Sequence, residues 1–105
     1  MSDVNDLAQT VREALREVID PELGFNIVDA GLIYDVAINE AGIATITMTT
    51  TTKGCPATNY LREGAHEAAQ SVAGVQGVDV RLTHDPPWTP DMMSEFAKDH
   101  LVLGW

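Results

Sequence analysis

The feature that most constrains the fold is the stretch Thr45–Thr58, which reads T-I-T-M-T-T-T-T-K-G-C-P-A-T. Its first half alternates β-branched and apolar residues, as is typical of a half-buried strand. Its end, Gly54-Cys55-Pro56, predicts a turn and then a helix, because proline at the first helical position needs no backbone N–H. The chain is therefore expected to pass directly from a strand into a helix, with Cys55 as the helix N-cap.

Cys55 is the single cysteine of the chain. A thiol at a helix N-terminus lies at the positive end of the helix dipole, which favours the thiolate, and Lys53 would act in the same direction. We therefore expect a nucleophilic thiol. The alternative is a buried cysteine that serves only as a small apolar residue, as free cysteines often do.

Composition and charge restrict the class of protein. A chain of 105 residues with 45% hydrophobic and 21% charged residues is typical of one globular domain, here spanning 1–105. The formal net charge of −10 and the scattered Lys and Arg residues argue against nucleic-acid binding. No apolar run is long enough to span a membrane, and the acidic start is unlike an export signal. A lone cysteine fits a reducing compartment, so we expect a cytoplasmic protein.

Hydrophobic periodicity predicts an α+β two-layer sandwich with elements in the order α-β-β-α-β-α. Its helices would pack on one face of a small mixed three-stranded sheet, with the first two strands antiparallel and the last two parallel. Even-numbered positions of the first two strands, Tyr34 among them, are expected to face the core. In the last helix we expect Met92 or Met93 and Phe96 to face inward. The predicted helices are 3–19, 56–72 and 91–99, and the predicted strands are 32–39, 43–50 and 78–84.

Polar side chains at other element ends are candidates for a site around Cys55. Asp20 and Glu22 follow the first helix, and four threonines, 49–52, lead into the cysteine. His84 ends the third strand, and parallel neighbouring strands end at one edge of a sheet, so His84 is expected near Cys55.

Each candidate also has a simpler interpretation. The threonines fit an exposed strand end, and Asp20 before a proline fits an Asx turn that ends a helix. His84 fits a solvated histidine, and Trp88, between prolines, fits a hydrophobic plug on the sheet.

Ligand counting limits metal binding, because a closed zinc or Fe–S site needs about four sulfur or nitrogen ligands. One cysteine and three unclustered histidines (His66, His84 and His100) cannot supply them locally. Any metal or cluster would be bound openly, shared between chains or passed on. A Cys–His hydrolase or thiol transferase would instead need His84 as a base within hydrogen-bond reach of Cys55, and nothing in the spacing requires this.

Four blocks of sequence occur in a fixed order along the chain: D-P-E at 20–22, N-I-V-D-A-G-L-I-Y at 26–34, M-T-T-T-T-K-G-C-P at 48–56 and D-P-P-W-T-P-D-M-M-S at 85–94. From about Val11 to Trp105 the chain resembles the SufT/PaaD-type family of iron–sulfur assembly factors. This family includes domains related to eukaryotic cytosolic Fe–S targeting factors.

The resemblance implies an α+β fold and a role in maturing Fe–S clusters or delivering them to client proteins, without enzymatic turnover. The family's reactive cysteine matches Cys55, a ligand for iron or a cluster. Its polar surroundings match four side chains, with Leu23 beside them: Asp20, Glu22, Thr51 and Thr52. The PaaD branch carries a cysteine-rich segment after this domain and this sequence has none, so we expect the single-domain SufT-like branch.

Two hypotheses from different classes follow. In the first, a cytoplasmic assembly factor binds iron or an Fe–S cluster transiently through Cys55. A client protein, another assembly protein or a second copy in a homodimer supplies the other ligands. In the second, the protein is an adaptor for assembling a metalloenzyme, such as a PaaD-like oxygenase complex. Cys55 would then be structural, and Trp88 and the loop 23–25 would contact clients.

Overall fold

The order of elements is the predicted one. The structure, a computed structural model, describes residues 4–102. It contains the helices α1 (Val4–Ala14), α2 (Thr58–Gln70) and α3 (Glu95–Val102) and the strands β1 (Ile33–Ile38), β2 (Ile43–Met48) and β3 (Gly77–Leu82). Single-turn 3-10 helices cover Leu15–Glu17 and Pro90–Met92. No helix in the described part of the chain is long and apolar enough to cross a membrane.

The sheet is mixed, as predicted. Its strand order is β1-β2-β3, with β1 antiparallel and β3 parallel to the central strand. In β2 the side chains alternate strictly, and Ala44, Ile46 and Met48 are fully buried. The even positions of the central strand therefore face the core.

A bulge changes the alternation at the start of β1. The register shifts between Ile33, which lies opposite Met48, and Asp35, which lies opposite Thr47. The extra residue turns Ile33 into the core, while Tyr34 is half-buried and its hydroxyl donates to the carbonyl oxygen of Pro86 at 2.8 Å. The prediction that Tyr34 shares the core face is therefore wrong.

The first two helices pack against the sheet and against each other around a common core. The segment that begins with α1 leaves helical geometry at Val18, which has extended φ and ψ angles of −93° and 120°. A Cβ on Gly64 would lie 3.0 Å from a methyl group of Val18, so glycine lets α2 approach this segment closely. The buried residues of these two helices, and of the 3-10 turn that follows α1, include Val11, Leu15, Leu61, Ala65 and Ala69.

The last predicted helix is interrupted. Its 3-10 turn ends at Met92 and is followed by Met93, which is extended. The helix α3 then begins after Ser94, whose hydroxyl accepts the N–H of Ala97 at 3.2 Å. Met93 is buried, as predicted. Phe96 is 59% exposed, so the prediction that it faces inward is wrong; Ala97 faces inward instead. The break shifts the helical phase, and this changes which residue faces the core.

A polar network ties the end of the first helical segment to the start of α3. The Asp29 carboxylate accepts from Asn26 Nδ2 at 2.7 Å and from Arg16 Nη1 at 2.9 Å, and the Ser94 N–H donates to the Asp29 carbonyl at 2.8 Å. Burial acts to raise the pKa of Asp29, but hydrogen bonds from Asn26, Arg16 and Ser94 outweigh it and lower the pKa. The loop before β1 is thereby fixed to both helices.

Candidate thiol–carboxylate site

Cys55 lies in the turn that precedes α2 rather than at the helix cap. The first helical residue is Thr58 and the N-cap is Ala57. The Thr58 N–H and hydroxyl both donate to the Cys55 carbonyl oxygen, at 3.1 and 2.6 Å. Pro56 and Ala57 form the intervening turn, so the prediction of Cys55 as N-cap is wrong by two positions.

The Cys55 side chain contacts a carboxylate. Its Sγ donates to Glu22 Oε1 at 2.7 Å, and the Ala57 N–H donates to the sulfur. Cys55 is 6% exposed, whereas Glu22 belongs to the exposed surface. The thiol is therefore just below the surface, with an acidic side chain above it.

The electrostatics of the site favour the thiol over the thiolate. Burial raises the pKa of Cys55, and the hydrogen bond to Glu22 and the negative charges of Glu22 and Asp20 raise it further. The Ala57 N–H lowers the pKa but does not compensate. The expectation of a thiolate-favouring environment is therefore wrong, because burial and two carboxylates outweigh one backbone dipole. Lys53 is exposed and is not among the groups that shift this pKa.

Asp20 holds the turn that presents Glu22. Its Oδ1 accepts the N–H of Glu22 at 2.7 Å and that of Leu23 at 3.2 Å, and the residue is 1% exposed. This is the Asx turn predicted from the sequence. The same turn places the Glu22 carboxylate on the Cys55 sulfur, so Asp20 acts on the thiol through its charge and through the backbone it holds.

The threonines before Cys55 are not a uniform exposed strand end. Thr49 and Thr50 are buried, Thr51 is half-buried and Thr52 is exposed. All four threonines are candidates from the sequence, and the family resemblance singles out Thr51 and Thr52, whereas the contact with His84 belongs to Thr50. Thr50 continues the inward-facing even positions of β2, but the same alternation would place Thr49 on the other face, so the pattern contains no signal for the burial of Thr49.

His84 lies at the sheet edge where the Cys55 turn begins, but its partner is Thr50. Its Nε2 is 2.8 Å from the Thr50 hydroxyl, whereas the Cys55 thiol contacts Glu22. Thiol and imidazole do not form a hydrogen-bonded pair in this structure. His84 is therefore not placed as the base that a Cys–His hydrolase would need.

Trp88 and Leu23 serve the fold. The Trp88 indole Nε1 donates to the Ala30 carbonyl at 2.8 Å, and its ring packs against the core. Leu23 is half-buried and also packs against the core. Trp88 matches the hydrophobic plug more closely than the client-contacting residue of the adaptor hypothesis.

The site has a partial set of metal donors. Within residues 4–102, no three side chains of His, Cys, Asp or Glu converge as a metal site. The Cys55 sulfur and the Glu22 carboxylate are the adjacent donors here. A closed site needs about four ligands, so iron or a cluster held here would take others from a second molecule.

The sequence matches a known protein family. Residues 8–80 match a family model described as iron-sulfur cluster assembly protein. The chain belongs to this iron–sulfur cluster assembly family. The matched region includes Asp20, Glu22 and Cys55 and ends before His84 and Trp88. The family predicted from the four sequence blocks is therefore confirmed.

Relatives in this family align over most of the chain. A Porphyromonas gingivalis "Fe-S protein maturation auxiliary factor" is 44% identical over 96% of this chain and 97% of its own. The Staphylococcus aureus "Fe-S protein maturation auxiliary factor SufT" is 41% identical, over 83% of this chain and 97% of its own. A component of a putative 1,2-phenylacetyl-CoA epoxidase from Escherichia coli is 38% identical, over 83% of this chain and 52% of its own. Both the SufT and the PaaD side of the predicted family are thus represented.

The fold is confirmed by solved structures of the family. A Bacillus anthracis DUF59 domain of unknown function superposes with a TM-score of 0.90, at 36% identity and 95% coverage of both chains. The three helices and the small mixed three-stranded sheet of this chain are therefore shared with that solved domain.

Proposed function

We propose that the chain is an auxiliary factor in the maturation of iron–sulfur proteins and acts through the pair formed by Cys55 and Glu22. The observation that carries the proposal is the 2.7 Å contact between the thiol and the carboxylate. Family membership and the names of the relatives support the assembly or maturation role. The exchange of a thiolate ligand is our assignment.

Cys55 stays a thiol in the resting protein and becomes a thiolate only when an iron-bearing cargo approaches. Iron binds thiolate, not thiol, and the raised pKa keeps Cys55 protonated in the resting protein. Glu22 is in contact with the thiol hydrogen, accepts it when an iron-bearing cargo approaches and passes it to water, because Glu22 is exposed to solvent. The carboxylate is then free to act as an oxygen donor. The Ala57 N–H stays on the sulfur and stabilises the negative charge.

The cargo, iron or an Fe–S cluster, would be held transiently. Cys55 and Glu22 provide a sulfur and an oxygen donor, and the other ligands come from the partner. Asp20, Leu23, Thr51 and Thr52 shape the surroundings. The partner is an Fe–S client protein, another assembly protein or a second copy of this chain. We assign the activity to one domain, 1–105, in the cytoplasm, as a carrier without enzymatic turnover.

The first test is complementation. Cells that lack the native protein receive wild type, Cys55→Ala or Glu63→Gln, and the activities of Fe–S enzymes are measured. Glu63 is an exposed carboxylate on α2 and serves as the matched control. We expect Glu63→Gln to restore activity and Cys55→Ala to fail. Full rescue by Cys55→Ala at equal protein levels would contradict the role of the thiol.

The second test is anaerobic reconstitution with iron and sulfide, followed by absorbance and native mass measurement. Wild type alone is expected to gain iron as an assembly of two chains, and wild type mixed with an Fe–S client protein is expected to gain it in a complex with that client. Cys55→Ala is expected to gain none. Equal iron in both proteins would place the cargo elsewhere on the molecule.

One observation favours an adaptor as a second candidate. Cys55 is 6% exposed and its pKa is raised, as expected of a structural cysteine. Alkylation kinetics on folded protein separate the candidates. A thiol that reacts only as fast as the protein unfolds supports the adaptor, and one that reacts faster supports the carrier.

A further inference from the structure

We infer that His84 is a positioning residue for the turn 51–55, and that it acts through the Thr50 hydroxyl. The inference rests on the proposed function in one respect, that this turn carries the working thiol. The geometry itself is independent of that function. His84 lies beyond the region matched by the family model, which ends at residue 80.

Counting hydrogens gives the direction of the contact. The Thr50 hydroxyl lies 2.7 Å from the Thr52 carbonyl oxygen and 2.8 Å from His84 Nε2. A carbonyl oxygen only accepts, so the single hydroxyl hydrogen is donated to Thr52. His84 Nε2 must then carry a hydrogen and donate it to the Thr50 oxygen. The chain of donors runs from His84 through Thr50 to Thr52.

Burial makes this connection costly to lose. Thr50 is 1% exposed, so water cannot readily replace either partner of its hydroxyl. The backbone next to His84 is fixed as well, because the N–H of the preceding residue, Thr83, donates to the Met48 carbonyl oxygen at 2.9 Å. His84 thus extends directly from the paired ends of β2 and β3.

The turn that bears the thiol is held at both ends. Its start is held by the contacts of Thr50, and its end by the contact of Cys55 with Glu22. Between them lies Gly54 in the left-handed region, at φ +75°. Loss of the first attachment leaves the turn held only at its Cys55 end, by Glu22 and by the two Thr58 donors on the Cys55 carbonyl oxygen. The segment 51–54 should then move more, and Cys55 should become exposed more often.

The variants test whether the hydrogen bond between His84 and Thr50, rather than the size of either side chain, holds the turn. His84→Gln keeps an N–H donor, and His84→Phe keeps a ring of similar size without one. Thr50→Ser keeps the hydroxyl, and Thr50→Val has the same shape without it. His66→Phe, on the exposed face of α2, is the matched histidine control.

The readout is the rate at which iodoacetamide alkylates Cys55 in folded protein at one pH, with the melting temperature measured in parallel. We expect His84→Phe to raise the rate about fivefold, the effect of one lost hydrogen bond. Thr50→Val also loses the donation to Thr52 and should raise the rate at least as much. His84→Gln, Thr50→Ser and His66→Phe should stay near the wild-type rate. The double variant should react no faster than Thr50→Val alone, since the Thr50 change already breaks the contact with His84.

A wild-type alkylation rate in folded His84→Phe would overturn the inference, and so would a His84→Gln rate as high as that of His84→Phe. The histidine variants carry the test if the buried Thr50→Val change prevents folding. This measurement needs no client protein. Restoration of Fe–S enzyme activity by Cys55→Ala in the complementation test would therefore contradict the proposed function, but it would not affect the alkylation result for His84.

Discussion

The Cys55 thiol donates to the Glu22 carboxylate at 2.7 Å, across 33 positions of sequence. A carboxylate in contact with a sulfur disfavours the thiolate, whereas a reactive cysteine usually has a cation or a helix dipole beside it. The site is better suited to releasing a proton as a metal-bearing partner arrives than to attacking a substrate. That property fits a carrier that must not react with other molecules between partners.

Glu22→Gln should lower the pKa of Cys55, because it removes the charge and the strong acceptor that add to the effect of burial. We expect the alkylation rate to reach its alkaline plateau at a lower pH than in wild type. Thiolate ultraviolet absorbance during a pH titration provides a second measurement. Glu63→Gln, which changes an exposed carboxylate on α2, should leave the titration where it is. An unshifted titration in Glu22→Gln would contradict the electrostatic role of Glu22.

The raised pKa of Cys55 predicts a loss of stability at alkaline pH. A folded-state pKa above the unfolded value, about 8.5 for cysteine, means that the folded protein holds the proton longer. The stabilising contribution is fully present below that value and is lost as pH rises through the folded pKa. Urea unfolding from pH 7 to about 10 should therefore show a steeper decline for wild type than for Cys55→Ala. Parallel declines would show that the cysteine does not contribute.

Asp29→Asn should lower the free energy of unfolding at pH 7 by about 1–3 kcal/mol, because Arg16 and Asn26 lose a charged acceptor. The lowered pKa of Asp29 makes its contribution present above the ordinary value, about 3.9. That contribution is lost as pH falls through the folded pKa, so the difference between variant and wild type should shrink there. Asp79→Asn, which breaks an exposed pair with Arg81, should cost under about 1 kcal/mol. An equal loss of unfolding free energy in Asp29→Asn and Asp79→Asn would contradict a stabilising role for the Asp29 network.

Gly31→Ala should destabilise the protein more than Gly54→Ala does. Both glycines have positive φ, 78° and 75°, but a Cβ on Gly31 would overlap the Met92 carbonyl oxygen, whereas one on Gly54 meets nothing within 4 Å. Gly54→Ala thus measures the backbone cost alone, about 1 kcal/mol. We expect Gly31→Ala to cost at least about 1 kcal/mol more by chemical denaturation. Similar values would mean that the 90–92 turn moves aside freely.

Most of the architecture could be predicted because its signals are local. The alternation of Ala44, Ile46 and Met48 defined the core face of β2, and helical periodicity placed α1 and α2. The predictions failed where one residue shifts a phase. The bulge at Tyr34 and the helix break at Ser94 each displaced a side chain from its predicted face. The position of a bulge or a helix break depends on how the secondary-structure elements pack against each other, and hydrophobic periodicity within one element does not show that packing.

The sequence by itself determined the order of elements, the single thiol at a strand-to-helix junction and the Asx turn at Asp20, since each depends on residues close together in the chain. Only the tertiary structure decided that Glu22 lies on Cys55 and that Thr50, not Cys55, receives His84. Local sequence predicted a thiol activated by a helix dipole, and the fold produced a thiol held protonated by burial and carboxylates. A pKa depends on burial and on every charge nearby, and folding brings those charges from distant parts of the chain.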